Sequence, residues 1–407
     1  MSFALRQNKA LGTSERRLHP PPDAVWETRT SVGDAWVVDS ARKIDPPIWR
    51  NSFRQHLRDG RFYELTERTL SRQFTQRYFV LRHGSTGVAV VQPFFFVRQD
   101  LVAGLPGAVQ RQVEIVRRRW PGFLFVTMLM VGSPAAEGQL ATDEPWLCRA
   151  LRETLAAYQR AAGASLVVLK DFPSRYRAVL GEFTDHGFRR MPGMPCAQLR
   201  LDFDSFEQYM QTRLSKVFRK NLRRKFRALA SKPPLTMEVV SDVTPYVDDV
   251  FALYFQVYKR ARMSFEVLNR EYFLGISQHL PEKARYFIWR QEGRIIAFNL
   301  CLLHDGVLHD LEVGFDYTLA FDLHLYFVTW RDVIEWSLQH GIHTYHAGPL
   351  NYDPKLHLRL DLLPQDVYAR HRSKWVNRAL GMAMKYLGPV RYQPILRQFP
   401  NYSELFG

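Results

Sequence analysis

Apolar and polar positions along the chain follow one order twice. Residues 78–82 read YFVLR and residues 286–290 read YFIWR. Each run leads into a glycine-containing turn, HGSTG at 83–87 and QEGR at 291–294. A second apolar run then follows, VAVVQPFFFV from Val88 and IIAFNLCLL from Ile295. β-Branched and aromatic residues on both sides of a Gly turn predict a β-hairpin in each copy. Downstream, Leu147, Leu151, Leu155 and Tyr158 recur at helical spacing, Gly163 stops the helix, and SLVVLKD continues as a buried strand. The second copy repeats this with Tyr326, Trp330, Val333, Trp336 and Ser337 on the helix, Gly341 at its end, and IHTYHAG beyond. A glycine just past a helix is the usual left-handed cap, and strand–helix–strand order predicts parallel pairing. Chance can give a five-residue match; it rarely gives the match together with the same downstream order.

The expected fold is therefore α/β (α+β), two tandem domains, each a mixed twisted sheet flanked by helices. Residues 1–45, rich in Pro, Arg and polar side chains, read as an irregular arm. Residues 46–205 read as the first domain and 206–385 as the second, with 386–407 as a C-terminal tail.

A chain of 407 residues with 46% apolar, 24% charged and 14% aromatic side chains is an ordinary globular composition. It excludes a disordered chain, a coiled-coil filament and a disulfide miniprotein. Cys148, Cys196 and Cys301 are far apart and form no CxxC, which points to a reducing compartment. The longest apolar stretches, Gly122–Gly132 and Ile295–Leu303, fall well short of the roughly 20 residues a membrane span needs. The N-terminus shows no apolar core of signal-peptide length. The expectation is a cytoplasmic protein without integral membrane contact. With 56 Lys and Arg against 40 Asp and Glu, its net charge of +16 attracts anions of any kind.

The charge is concentrated between the two copies, where residues 212–234 read TRLSKVFRKNLRRKFRALASKPP. Leu214, Val217, Phe218, Leu222, Phe226 and Leu229 are predicted on one helical face. Arg213, Lys216, Arg219, Lys220, Arg223, Arg224, Lys225, Arg227 and Lys232 supply nine cations with no acid among them. Such a run is commonly a solvated helix face, but nine mutually repelling charges are better explained by an anionic partner.

Two clusters carry candidate chemistry. In GVLHDLEVGFDY (306–317), strand alternation puts Asp310 and Glu312 on one face and His309, Leu311 and Val313 on the other. Paired carboxylates raise one another's proton affinity, so one can act as a base near neutral pH; the alternative is a pair of solvated or ion-paired acids. The second cluster, TYHAGPLNYDPKLHLRL from Thr344, begins at the C-terminal end of a predicted parallel strand, where open α/β sheets place their sites. His346, Asn351 and Lys355 are expected to bind substrate there, Lys355 through a phosphate or carboxylate, and Tyr352 to protonate a leaving group. His340, His343 and His346 straddle a helix end and a strand, so no metal site is expected. Gly132 and Gly138 in VGSPAAEG give a weak phosphate-loop signal without GxxxxGK[ST] or GxGxxG, and no GxSxG elbow occurs.

The sequence resembles the FemAB-like and CelD-like branch of the GNAT acyltransferases, built from two GNAT-type domains, over residues 46–385. The resemblance is carried by LSKVFRKNLRRKF (214–226), YFIWRQEGRIIAF (286–298) and WRDVIEWSLQHGIHTYHAG (330–348) followed by Lys355. It implies transfer of an acyl or aminoacyl group from a thioester or an aminoacyl-tRNA to an amine. On this reading Glu312 or Asp310 is the base and Tyr352 the acid. Lys355 and the helix cations Arg219, Lys220, Arg223 and Arg224 hold an anionic small-molecule donor or acceptor. Acyl-CoA is the expected co-substrate, with tRNA or a carrier protein as alternative donors, and no cofactor is bound permanently. GNAT domains grip the CoA pyrophosphate on a Gly-rich turn opening the central helix; here that stretch is TLAFDLHLYF, with no glycine between Gly314 and Gly341. A non-catalytic binder of RNA or an anionic membrane surface is the competing function.

Overall fold

A computed structural model of the chain describes residues 21, 23–53, 56–100, 107–123, 125–261, 265–384 and 388–406. In chain order the strands are β1 (Ala24–Thr30), β2 (Gly33–Val38), β3 (Thr75–His83), β4 (Ala89–Asp100), β5 (Phe125–Val131), β6 (Leu166–Pro173), β7 (Arg189–Pro192) and β8 (Cys196–Arg200). They continue with β9 (Leu235–Val240), β10 (Ala284–Gln291), β11 (Arg294–His304), β12 (Val307–Phe315), β13 (Thr344–His346), β14 (Asp361–Leu363) and β15 (Gln365–His371). They form two mixed sheets flanked by helices, ordered β1-β2-β3-β4-β5-β6-β15-β7 and β14-β8-β13-β12-β11-β10-β9.

Both predicted hairpins form. β3 and β4 pair antiparallel with Val80 opposite Val91, and β10 and β11 pair with Ile288 opposite Phe298. The second turns on Glu292 (φ 48°) and Gly293 (φ 80°), consecutive left-handed residues that match the twist of the flanking strands. Each copy then adds a third strand, a crossover helix (Pro145–Ala161 or Leu325–Gln339) and a parallel strand, giving β5 beside β6 and β12 beside β13.

The sheets depart from the expected domain boundaries. β8 lies before position 206 yet pairs in the second sheet, antiparallel to β13 and β14. β15 closes the loan in the other direction, entering the first sheet between β6 and β7. Periodicity fixes which residues of a short strand are buried, not which sheet receives it. Residues 24–38, expected as part of an irregular arm, form the β1–β2 hairpin, an edge whose outward positions alternate to solvent and so look polar in sequence. Of the rest of that arm, Ala41–Lys43 forms a 3-10 turn, and residues 1–20 and 22 lie outside the described residues. The C-terminal tail is three short 3-10 turns packed through Leu396, Phe399 and Leu405 against Tyr352 and Leu356.

One core runs through both sheets. Along β10, Tyr286 and Ile288 face a cluster shared with Phe62, Leu65, Tyr78 and Phe95 of the first half, while Phe287 and Trp289 face a separate cluster with Val333, Ile334 and Tyr345. The helices Gly60–Thr69 and Arg270–His279 meet at Gly275, where an added Cβ would lie 2.0 Å from Leu65 Cδ1. Asp366 of β15 is fully buried and receives Arg177 at 2.6 Å and Arg190 at 3.3 Å, both from the first half. Removing one member of a buried ion pair strands its partners. Asp366→Asn is expected to cost about 3 kcal/mol, read as a lower urea midpoint with unchanged slope. The shared core also predicts that circular dichroism and tryptophan fluorescence report one coincident transition; two resolved transitions would contradict it.

Candidate functional site

β12 and β13 pair only over Val307–His309 and Thr344–His346. The chain after β13 stays with β8, through the Ala347 N–H to the Ala197 carbonyl at 2.8 Å, while β12 runs on to Phe315. The strands therefore part beyond His309. At this point β12 carries a bulge: Glu312 lies opposite Leu300 and Asp310 opposite Cys301, which leaves Leu311 as the extra residue. Leu300 and Cys301 are neighbours on β11 and point to opposite faces. The bulge thus separates Asp310 from Glu312 and puts Glu312 on the face of His309, which lies opposite Leu302. This corrects the expected carboxylate pair, because simple alternation cannot anticipate an inserted residue.

On its own face Asp310 accepts the Tyr345 hydroxyl and, at 3.4 Å, the Asn299 amide. Burial raises its pKa to about 6 despite those donors. Glu312 and His309 face the first half. Burial, with Glu266 and Asp310 nearby, raises the proton affinity of Glu312 well above the ordinary carboxylate range. Glu266 is itself raised by burial and lies in the field of Lys170, which pairs with Asp171 at 2.5 Å. Burial, then His346 and Arg58, hold His309 well below the ordinary imidazole range.

The group continues through Glu137, in the loop between β5 and the helix Pro145–Ala161. Its Oε1 accepts the Cys196 thiol at 3.1 Å and lies 3.5 Å from His346 Nε2. The His346 and His309 ring centroids are 5.0 Å apart. Burial alone would raise Glu137, but His346, Arg58 and the Cys196 S–H bring it down to about 2. Burial lowers His346 and raises the Cys196 thiol well above its usual value. Arg58 makes no ion pair among the described residues, and its buried Nε has no hydrogen-bond partner. Arg58, Glu137, Lys170 and Asp171 come from the first half, and Glu266, His309, Glu312 and His346 from the second. Except for the buried His346, all are only partly covered, so they line the seam between the halves.

Glu137, Cys196 and His346 also bring three ligand atoms within 4.8 Å of one another, a donor set that suits zinc. As arranged they satisfy one another, with the Gln365 amide donating to Cys196 Sγ at 3.1 Å. His340 and His343 bond to the Trp336 and Asp305 carbonyls instead, away from this group.

Other expected site residues have different roles. Lys355 is only 5% exposed, and its ammonium donates to the carbonyls of Ala347, Gly348 and Pro349 at 2.8, 2.9 and 3.1 Å. All three donors are used, so it holds the turn after β13 and is not available to a substrate phosphate. Tyr352 is buried and donates to the Pro195 carbonyl at 2.7 Å, so its hydroxyl proton is engaged in holding the chain before β8. Asn351 is exposed at the tip of that turn with φ 49°.

The basic helix spans Lys216–Leu229 with Ser215 as its cap. Leu222 is buried, Phe218, Phe226 and Leu229 are half-buried, and Val217, expected beside them, is 82% exposed. Folding also brings acids that the local sequence lacks: Arg223 pairs with Glu207, Arg213 with Asp202 and Lys232 with Asp322. Arg219 donates to the Gln211 carbonyl at 2.6 Å. Lys220 and Arg224 are exposed and without ion pairs among the described residues.

At the start of the crossover helix Leu325–Gln339, the chain's own preceding turn takes up part of the N–H groups. The Leu325 N–H bonds to the Ala320 carbonyl, and those of Phe327 and Val328 to that of His324. Sequence reasoning missed Arg58 and Glu137. Only the VGSPAAEG loop signal touched either, and it pointed to phosphate rather than to the glutamate it carries.

The acetyltransferase (GNAT) domain model matches residues 216–356. FemX shares the fold at TM-score 0.51 and 12% identity, over 78% of this chain and 93% of its own. L-PGS from Bacillus licheniformis aligns at TM-score 0.45 and 15% identity over 65% and 84%. A tandem GNAT protein from the clavulanic acid biosynthesis pathway aligns at 0.44 and 12% over 77% and 88%. No curated protein matches the sequence. Residues 216–356 thus match a GNAT acetyltransferase domain, and the two mixed sheets flanked by helices are a GNAT-type fold. Over the wider chain the fold is shared with FemX.

The buried histidines set a sign for stability against pH. The folded values of His309 and His346 lie below the ordinary 6.5, so below that pH the unfolded chain binds protons that the native state refuses. Their contribution to stability is full above about pH 6.5 and falls as pH drops toward the folded values, while the raised carboxyls of Asp310, Glu266 and Glu312 contribute with the opposite sign. Glu137 adds a loss of the same sign between 4.5 and about 2. Urea titrations at about pH 7.5 and about pH 5.5 isolate the histidines by comparison: relative to wild type, the His309→Gln/His346→Gln variant is expected to gain at least about 1 kcal/mol more at the lower pH than at the higher. An identical change between the two pH values in wild type and variant would refute the assignment.

Proposed function

We propose that the protein is an N-acyltransferase that moves an acyl or aminoacyl group from a thioester or an aminoacyl-tRNA to an amine. The acceptor amine belongs to a cell-envelope or polysaccharide precursor or a related metabolite. The observation that carries this reading is the bulge in β12, which turns Glu312 and His309 together into a seam of ionisable groups where two GNAT strands part.

An amine acceptor arrives as an ammonium ion and must lose a proton before it attacks. Glu312 has the raised proton affinity suited to that step, and the incoming ammonium supplies the counter-charge its ionised form lacks. The freed nitrogen attacks the acyl carbonyl, the C–N bond forms, and the C–S or ester C–O bond breaks. The proton then passes to the leaving sulfur or oxygen. Arg58, whose Nε is unpartnered, is placed to donate to the developing oxyanion or to an anionic group of the acceptor. His309, held neutral, sits beside Glu312 to accept or return the proton. The partly occupied helix start at Leu325 argues against a pyrophosphate grip in the second half. Acyl-CoA, if it is the donor, is held elsewhere.

The test is turnover with a panel of acyl-CoAs and aminoacyl-tRNAs against amine acceptors, followed by free thiol or deacylated tRNA. Glu312→Gln is expected to lower kcat by about 10²–10⁴-fold with little change in KM. In the wild type, kcat/KM should rise with pH through a value above the ordinary carboxylate range. Full activity of the Gln variant would exclude this base, and no turnover with either donor class would exclude the transferase reading.

A further inference from the structure

The helix Lys374–Met384 packs on β15 and β7 at the outer end of the first sheet. Asn377, Leu380, Gly381 and Met384 face inward, with the Asn377 amide donating to the Gly187 carbonyl at 2.9 Å and the Arg189 side chain lying against Gly381. The outward face is also apolar. Trp375 is 83% exposed, Met382 59% and Val376 48%, and Ala379 and Ala383 are exposed between them. A helix that is apolar on two faces is normally covered on both. Trp375 has the highest exposure of any large apolar side chain among the described residues.

The charge of the segment that carries this face has one sign. From residue 367 to 403 the sequence holds seven Lys and Arg and no Asp or Glu. Arg372, Lys374 and Arg378 are exposed and make no ion pair among the described residues. No helix among the described residues is long and apolar enough to cross a membrane. We infer that this helix lies in the interface of an anionic lipid bilayer, with Trp375, Val376 and Met382 among the acyl chains and Arg372, Lys374 and Arg378 on the headgroups.

Exposed Trp and aliphatic side chains bordered by Arg and Lys are the composition of an interfacial helix. A second copy would bring like charges together across the same patch. RNA would meet the cations, but Val376 and Met382 offer its bases no stacking surface. The inference is independent of the transfer chemistry, since none of these residues belongs to the seam.

The experiment is flotation of the full chain with vesicles of phosphatidylcholine alone and of phosphatidylcholine with phosphatidylglycerol. Binding is expected only to the anionic vesicles. It should fall about tenfold or more in Trp375→Asp/Met382→Asp, and about five-fold for each cation replaced in the series Arg372→Gln, Lys374→Gln, Arg378→Gln. These side chains point to solvent, so the variants should keep the wild-type thermal midpoint. Absence of binding to anionic vesicles overturns the inference. So does binding that survives Trp375→Asp/Met382→Asp and is lost instead on Arg223→Gln/Arg224→Gln. A concentration-dependent dimer, or RNA retention, abolished by Trp375→Asp would assign the face to that partner instead.

Discussion

The exchange of two short strands is the constraint on which the rest of the structure depends. Backbone N–H and C=O groups buried between sheets must be paired, and β8 and β15 meet that demand in the sheet of the opposite half. Each half is therefore incomplete without the other. Asp366 on β15 ties the exchange electrostatically through Arg177 and Arg190. Lys355 ties it from the other side by gathering the three carbonyls that follow β13. Cys196 on β8 and His346 on β13 reach Glu137 of the first half only because these strands are neighbours. The ionisable seam is a product of the topology rather than of any local motif.

The bulge at Leu311 converts that topology into a pattern of proton affinities. Without it, Asp310 and Glu312 would share one environment and His309 the other. With it, Asp310 is held by Tyr345 and Asn299 on one face of the sheet. Glu312 lies in the field of Glu266, also of the second half, so burial and like charge both favour its protonated form. One inserted residue thereby sets two carboxylates on separate tasks, one bonded into the sheet and one turned toward the cleft.

Much of the fold was legible from periodicity and turn chemistry. YFIWR-QEGR-IIAF predicts its hairpin because the turn needs two left-handed residues and Gly293 supplies one cheaply. The crossover helices and parallel strands follow from helical spacing ended by Gly163 and Gly341. The strand exchange was not legible, because pairing partners of strands as short as β8 and β13 are chosen by tertiary packing. The bulge hid the true partner of Glu312 for a related reason, since alternation assumes one residue for one. Lys355 and Tyr352 were noticed for their chemistry, but a polar side chain in a tight loop is as often consumed by that loop's own carbonyls. The nine cations near residue 220 looked uncompensated because Glu207, Asp202 and Asp322 include one ally some ninety residues away in sequence.

The partly occupied start of the helix Leu325–Gln339 gives the duplication a physical meaning. A helix N-terminus binds phosphate through N–H groups left without acceptors. Here the turn Phe321–His324 folds back so that the Ala320 and His324 carbonyls take the N–H groups of Leu325 and Phe327, two of the three at the helix start. The equivalent position in the first half opens with Pro145, which has no N–H to offer, and the loop before it carries Glu137, an anion unsuited to holding a pyrophosphate. Neither helix start offers a full set of free N–H groups, while the titratable groups Glu312, His309, Glu137 and His346 stand between the units. On the proposed reading, a donor gripped inside one unit would leave its acyl carbon on one side of the seam only. A donor and an acceptor that enter the seam from the two halves meet at Glu312 and Arg58, the arrangement that the shared core and exchanged strands keep rigid.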